Sequence, residues 1–212
     1  MNKLLLSLLL VTASSAVNAN LIQNGSFEDI NVSDGSYSVV SGSTLSGWAV
    51  TSGSGVEIRN NIVGAASQGS NYVELDSFSN SSIAQTVLAT ADTFYDLIFD
   101  YSPRIGELAS TNGISVFWNG VLLANGEITA DGTANTANMW VAQQFSVAGS
   151  STGSNVLQFI ATGDSDGLGG NIDNVSLVKK PDAPINSVPL PTAGWLFASA
   201  IGLFGFARRS SV

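Results

Sequence analysis

Between residues 95 and 101 the chain reads Tyr-Asp-Leu-Ile-Phe-Asp-Tyr, and this alternation constrains the fold more than any other feature. Tyr95, Leu97, Phe99 and Tyr101 fall on one face, and Asp96 and Asp100 fall on the other. A period of two marks a strand with one face buried and one face in water. Short runs of similar character recur at Leu21–Glu28, Gly55–Ile58, Asn71–Asp76, Ser82–Val87, Gly113–Trp118, Val121–Leu123, Trp140–Val147, Asn155–Ala161 and Asn171–Val178. Asn119-Gly120 separates two of them, and that dipeptide between apolar runs is a strong hairpin signal. About ten strands, with turn residues between them and no amphipathic helix, predict an all-β antiparallel fold, a β-sandwich or jelly roll, over residues 20–179. No internal repeat divides that stretch, so one domain is expected.

Composition agrees with an exported β-protein. Of 212 residues only 11% are charged, 44% are hydrophobic and 22 are glycine. Such a chain has too many apolar residues to stay disordered. Seven basic residues include Lys3, Arg208 and Arg209, which leaves four against 16 acids in the rest of the chain. That surface repels a polyanion, so a nucleic-acid partner is not expected. There is no cysteine and no histidine. Thiol chemistry is therefore excluded, and so are the usual neutral-pH base and the commonest transition-metal ligand.

Residues 1–19 have the three parts of a secretory signal peptide. Lys3 is the basic start, Leu4–Val11 is the apolar stretch, and Val17-Asn18-Ala19 is the cleavage site. At the other end a linker, residues 180–187, leads into Val188-Pro189-Leu190-Pro191. Ala193–Ala207 then runs without a charge and stops at Arg208-Arg209. Counted from Val188, with the arginines reaching back to the interface, this is long enough for a single hydrophobic membrane helix. Arginines after the span put the C-terminus in the cytoplasm and the domain outside.

The order Pro motif, apolar run and terminal Arg pair over residues 188–212 resembles the PEP-CTERM sorting signal in its Val-Pro-Leu-Pro form. That resemblance implies recognition by an exosortase, transient residence in the inner membrane through the tail, and delivery to the cell surface or extracellular matrix of a Gram-negative bacterium. The alternative is an ordinary single-span anchor that is never cleaved. The domain carries a resemblance of its own. Asn24-Gly25-Ser26-Phe27-Glu28, Gly47-Trp48, Asn71–Asp76, Tyr95–Arg104 and Gly170–Leu177 together resemble the galactose-binding-like jelly rolls, which include carbohydrate-binding modules. This implies a sandwich fold and a non-catalytic carbohydrate-binding role toward an extracellular polysaccharide.

In the modules so resembled, a carboxylate after the Gly-x-Phe of the first strand and an aspartate in the last strand hold a structural Ca²⁺. Glu28 and Asp173 match those positions, and hard oxygen donors suit calcium. The alternative is that both carboxylates only accept bonds from nearby N–H groups. Asp164-Ser165-Asp166-Gly167 begins like an EF-hand loop, but Val175 stands where its closing glutamate belongs, so a polar turn is expected there.

Glu74 and Asp76 lie two apart on one strand and share a face with Tyr72, which is expected to be wetter than the Val73/Leu75 face. Two carboxylates side by side on one strand are poorly placed to flank a glycosidic bond. An ion pair with Arg104, or support for calcium, is the expectation. Sugar rings stack on aromatic faces while Asn, Asp, Glu and Arg bond their hydroxyls. Trp48, Tyr72, Trp118 and Trp140 are the candidate platforms, with Arg104 and Asn119 as polar partners. The ligand site expected is Tyr72, Glu74, Asp76, Arg104, Trp118 and Asn119, and no catalytic residues are assigned. A structural or adhesive matrix protein without a sugar ligand is the rival reading, and a glycoside hydrolase the third.

Overall fold

The computed structural model describes residues 19–43 and 45–181. The expected signal peptide up to residue 18, residues 182–187 of the linker, and the sorting tail with Val188, Pro189, Leu190, Pro191, Arg208 and Arg209 lie outside the described residues. Within the described residues every regular element is a strand. In chain order these are β1 Ser36–Val40, β2 Ala49–Ser52, β3 Val56–Asn60, β4 Tyr72–Glu74, β5 Ser82–Leu88, β6 Phe94–Ser102, β7 Ile114–Trp118, β8 Val121–Ile128, β9 Val141–Ala148, β10 Ser154–Ala161 and β11 Asn171–Lys179.

They form two antiparallel sheets. One runs β1-β3-β4-β11-β6-β9 and the other β2-β5-β10-β7-β8. The alternation read in residues 95–101 is realised in β6, where Tyr95, Leu97, Phe99 and Tyr101 are buried and Asp96, Ile98 and Asp100 are only half-buried. The inner faces meet in one core that includes Val73, Leu97, Phe99, Val116, Leu157, Phe159 and Ile172. Trp48 joins it, packing its ring 5.7 Å from Phe27 and 6.0 Å from Phe159.

The hairpin forms as its dipeptide predicts. Asn119 and Gly120 take φ values of 53° and 76°, so both are left-handed, and Trp118 pairs with Val121 across the turn. Two positive φ angles match the twist of the flanking strands.

The first expected strand does not form. Leu21–Glu28 is a run of turns, with Asn24 at φ 50° and Phe27 at φ 59°. Those two left-handed residues break any continuous ladder. The segment instead lies on the last strand through isolated bonds, from Leu21 N to Leu177 O and from Val175 N to Gly25 O, each 2.9 Å. A Cβ on Gly25 would stand 2.0 Å from the Val175 carbonyl oxygen, so only glycine permits the approach. Conversely β1 and β2 form where no strand was expected. Both are short; β1 turns Tyr37 and Val39 outward with its serines half-buried, and β2 grades from half-buried to exposed without alternating.

Candidate functional site

Strand β3 is the point of departure, because all five of its residues are buried. Val56 and Ile58 face the core, so Glu57 and Arg59 lie on the opposite face, which is also covered. Glu57 stands directly across from Glu74 in β4, and Arg59 from Tyr72. Glu74 in turn faces Asn171 of β11. One side of the six-stranded sheet therefore carries a packed polar layer.

Its ionic centre is Glu74. The Arg59 guanidinium lies 3.1 Å from Glu74 Oε2 and 2.8 Å from Glu57 Oε2, and Arg104 Nη1 donates to Glu74 Oε2 at 3.0 Å. The expected Arg104 pairing is thus present. Burial pushes the Glu74 carboxyl up to about 8, against the opposing pull of Arg59 and Arg104. Burial also raises Asp76, opposed by the N–H groups of Asp166 and Gly167.

Glu57 and Arg59 were missed from the sequence. Val-Glu-Ile-Arg-Asn reads as ordinary alternation with a solvated outer face, and only the cover over that face reveals otherwise. The cover comes from elsewhere in the chain. Tyr72 meets Trp140 edge-on with ring centroids 5.6 Å apart. Trp140 Nε1 and Asn138 Nδ2 both donate to the Ala65 carbonyl, at 3.0 and 2.9 Å.

The expected ligand residues separate into two groups. Tyr72, Glu74, Asp76 and Arg104 come together, but Tyr72, Glu74 and Asp76 are 0% exposed. That face is polar, as expected, yet it is sealed rather than wet, so these three cannot stack on or directly bond a surface sugar. Trp118 and Asn119 belong to the other sheet. Trp118 is buried with Nε1 donating to Ala148 O at 2.8 Å. The Asn119 side chain ties the hairpin to β10, accepting from Val156 N and donating to Asn155 Oδ1, each at 2.9 Å. Trp48 is core. Of the aromatic candidates only Trp140 is partly exposed.

Glu28 and Asp173 both grip the loop before β4. Glu28 Oε1 accepts from Ser70 N and Asn71 N at 2.7 Å. Asp173 Oδ2 accepts from Ser67 N and Gln68 N at 2.8 Å, and its Oδ1 accepts from Asn174 N at 2.6 Å. Burial pushes the Asp173 carboxyl up to about 7 despite these bonds, with Asp100 opposite it in β6 adding to the rise. Among the described residues no three acidic side chains gather as a metal cage. Glu28 Oε1 and both Asp173 oxygens thus accept N–H bonds, and the calcium expectation at this pair rests on the resemblance.

A separate groove of about 520 Å³ has a lining that includes Pro103, Glu127, Asp131, Met139, Val141 and Gln143. Tyr101 and its cross-strand partner Val141 share the inner face of the sheet with Gln143, so the groove opens on the side opposite the ion-paired layer, between β8 and β9. Its volume is in the range of small-ligand sites.

No protein-family model matches the chain. It is 28% identical over 172 residues to the multifunctional-autoprocessing repeats-in-toxin of Vibrio vulnificus, a match covering 80% of this chain and 3% of the toxin. It is 30% identical over 192 residues to halomucin of Haloquadratum walsbyi, covering 85% of this chain and 2% of halomucin. The chain thus spans only a few hundredths of the length of these curated relatives. Among solved structures, an arabinose-bound GH51 α-L-arabinofuranosidase aligns with a TM-score of 0.51 at 14% identity, over 76% of this chain and 26% of that one. A family 16 carbohydrate-binding module aligns at 0.48 and 18% identity, over 75% and 99%. At 14% identity the likeness to the arabinofuranosidase is one of fold, a β-sandwich found within a larger chain.

Proposed function

We propose that the chain is an exported, non-catalytic glycan-binding module of the cell surface or extracellular matrix, and that the groove between β8 and β9 is where it holds a polysaccharide. The groove carries this reading. Met139 and Val141 offer apolar contact to a sugar face, while Glu127, Asp131 and Gln143 offer hydroxyl partners. Buried Tyr101, whose hydroxyl donates to Asn112 O at 2.9 Å, gives the groove a fixed wall, which lowers the ordering cost of binding. Isothermal titration against a panel of bacterial and plant polysaccharides, in calcium and in chelator, tests it. Binding is expected for at least one glycan, weakened about fivefold or more by Met139→Ala or Gln143→Ala with little change in melting temperature. A panel without a single binder in either condition overturns it.

Sorting by an exosortase rests on the motif over residues 188–212. Replacing Pro189 and Pro191 with alanine is expected to retain the tail, read as a mass difference in the envelope fraction. Equal mass with and without the substitution refutes that part.

A second reading, adhesion through protein contacts, is favoured by one observation. Strands β2, β5, β7 and β10 contain no charged residue in a chain of formal charge −9. Leu88, Leu122 and Val156 of their sheet are 77%, 42% and 41% exposed. Self-association without sugar, lost on Leu88→Lys and Val156→Lys, distinguishes it from the glycan reading.

A further inference from the structure

Three oxygen acceptors on one patch of the six-stranded sheet are buried without a hydrogen-bond donor: Glu74 Oε1, Asp76 Oδ1 and Asn171 Oδ1. Their residues are 0%, 0% and 1% exposed. The backbone accounts for their proximity. Asn171 is the direct cross-strand partner of Glu74. Asp76 follows two residues after Glu74, beyond the end of β4, where it bridges to Asn80.

Gly169 roofs the patch. A Cβ built there would lie 2.9 Å from Asp76 Cβ and 3.3 Å from Glu74 Oε1. The two oxygens of Glu74 thus face different neighbours. Oε2 takes both arginines, while Oε1 points under Gly169 toward Asp76. Asp76 is divided the same way. Its Oδ2 accepts from Asp166 N at 3.1 Å and Gly167 N at 3.3 Å, and its Oδ1 is left unpartnered. Ser77 Oγ, the next side chain, is also buried without a partner. The segment folded over Asp76 includes the Asp164–Gly167 turn, which resembled the start of an EF-hand loop but lacks its glutamate.

Buried carboxylate oxygens need a donor or a cation. Glu74 and Asp76 are the two acids of the patch; both arginines contact the far oxygen of Glu74, and Arg59 Nη1 is itself buried without a partner in the same layer. We infer that Glu74 Oε1 and Asp76 Oδ1 hold a divalent cation of the calcium class beneath Gly169, with Asn171 Oδ1 and Ser77 Oγ among its further oxygen donors. The donor set selects the ion. It is all oxygen, mixes charged and neutral groups, and comes from a chain with no histidine or cysteine. Two carboxylates supplemented by amide, hydroxyl and water oxygens fit calcium, which accepts irregular shells of about 6–8 oxygens. The site differs from the Glu28 and Asp173 pair, whose oxygens face the loop before β4. It goes beyond the glycan reading and does not depend on it, because the cation is measured without sugar.

The test uses the purified chain, stripped with chelator and titrated with calcium by calorimetry and with terbium by tryptophan-sensitised luminescence. Saturable binding is expected, weakened about tenfold or more by Asp76→Asn and changed less than about twofold by Glu28→Gln or Asp173→Asn. Should Asp76→Asn fail to fold, terbium located by anomalous scattering in crystals of the unsubstituted chain decides. An ion within about 2.6 Å of Asp76 Oδ1 supports the site. No binding by the stripped chain, unchanged affinity in a folded Asp76→Asn variant, or terbium only beside Glu28 and Asp173 overturns it. Occupation of the patch by water alone, with no response to either ion, overturns it as well.

Discussion

Phe99 of β6 and Phe159 of β10 meet edge to face across the sandwich, with ring centroids 4.9 Å apart and planes at 81°. The contact joins the central strand of the five-stranded sheet to β6, the neighbour of edge strand β9 in the other, and both side chains are fully buried. Phe159→Ala removes it and leaves a cavity, so a loss of about 3–5 kcal/mol is expected in urea unfolding. Phe159→Leu should cost clearly less, because it keeps most of the volume.

The buried layer behaves differently when cut. Arg59→Ala leaves Glu57 and Glu74 without their shared cation in a sealed site. Breaking a buried pair from one side costs about 3–5 kcal/mol. The deficit should shrink as pH falls, because protonated Glu74 no longer needs Arg59. A deficit of equal size at pH 5 and pH 8 would refute this account.

Asp173 sets a pH dependence of its own. Its carboxyl sits at about 7 in the folded chain, above the ordinary value of 3.8. A raised carboxylate is proton-bound in the folded state while the unfolded chain has released the proton. Its contribution is therefore fully present below about pH 4 and is lost as pH rises through about 7. A change of about 4 kcal/mol is the upper order of magnitude for a shift of that size. Unfolding measured in chelator between pH 4 and pH 8 should show stability falling with pH, and the slope should weaken in Asp173→Asn.

Asn119 separates structure from recognition. Its side chain ties the β7–β8 turn to β10, and its φ of 53° suits asparagine better than most residues. Asn119→Ala is expected to cost about 1–2 kcal/mol in stability while leaving glycan affinity unchanged. Affinity lost at unchanged stability would return Asn119 to the ligand site.

The sequence made some of this legible and hid the rest for physical reasons. β6 and the hairpin could be read because their signals are local: an uninterrupted period of two, and a dipeptide that tolerates two left-handed residues. Leu21–Glu28 misled because it has strand-like composition, while Asn24 and Phe27 adopt a backbone that composition does not report. The site was half legible. Tyr72, Glu74, Asp76 and Arg104 were found, but Glu57 and Arg59 looked like surface residues, since Ala65, Trp140 and the turn around Gly169 reach that sheet only through the fold. Trp118 and Asn119 were drawn in by residue type alone.

The place of β11 in the six-stranded sheet bears on when this domain can exist. It lies between β4 and β6, so β1-β3-β4 and β6-β9 are separate pieces until residues 171–179 arrive to join them. A ribosome releases those residues after everything else in the domain. The nascent chain therefore stays unable to close its larger sheet for most of its synthesis, the condition in which a polypeptide can still be threaded through a narrow pore.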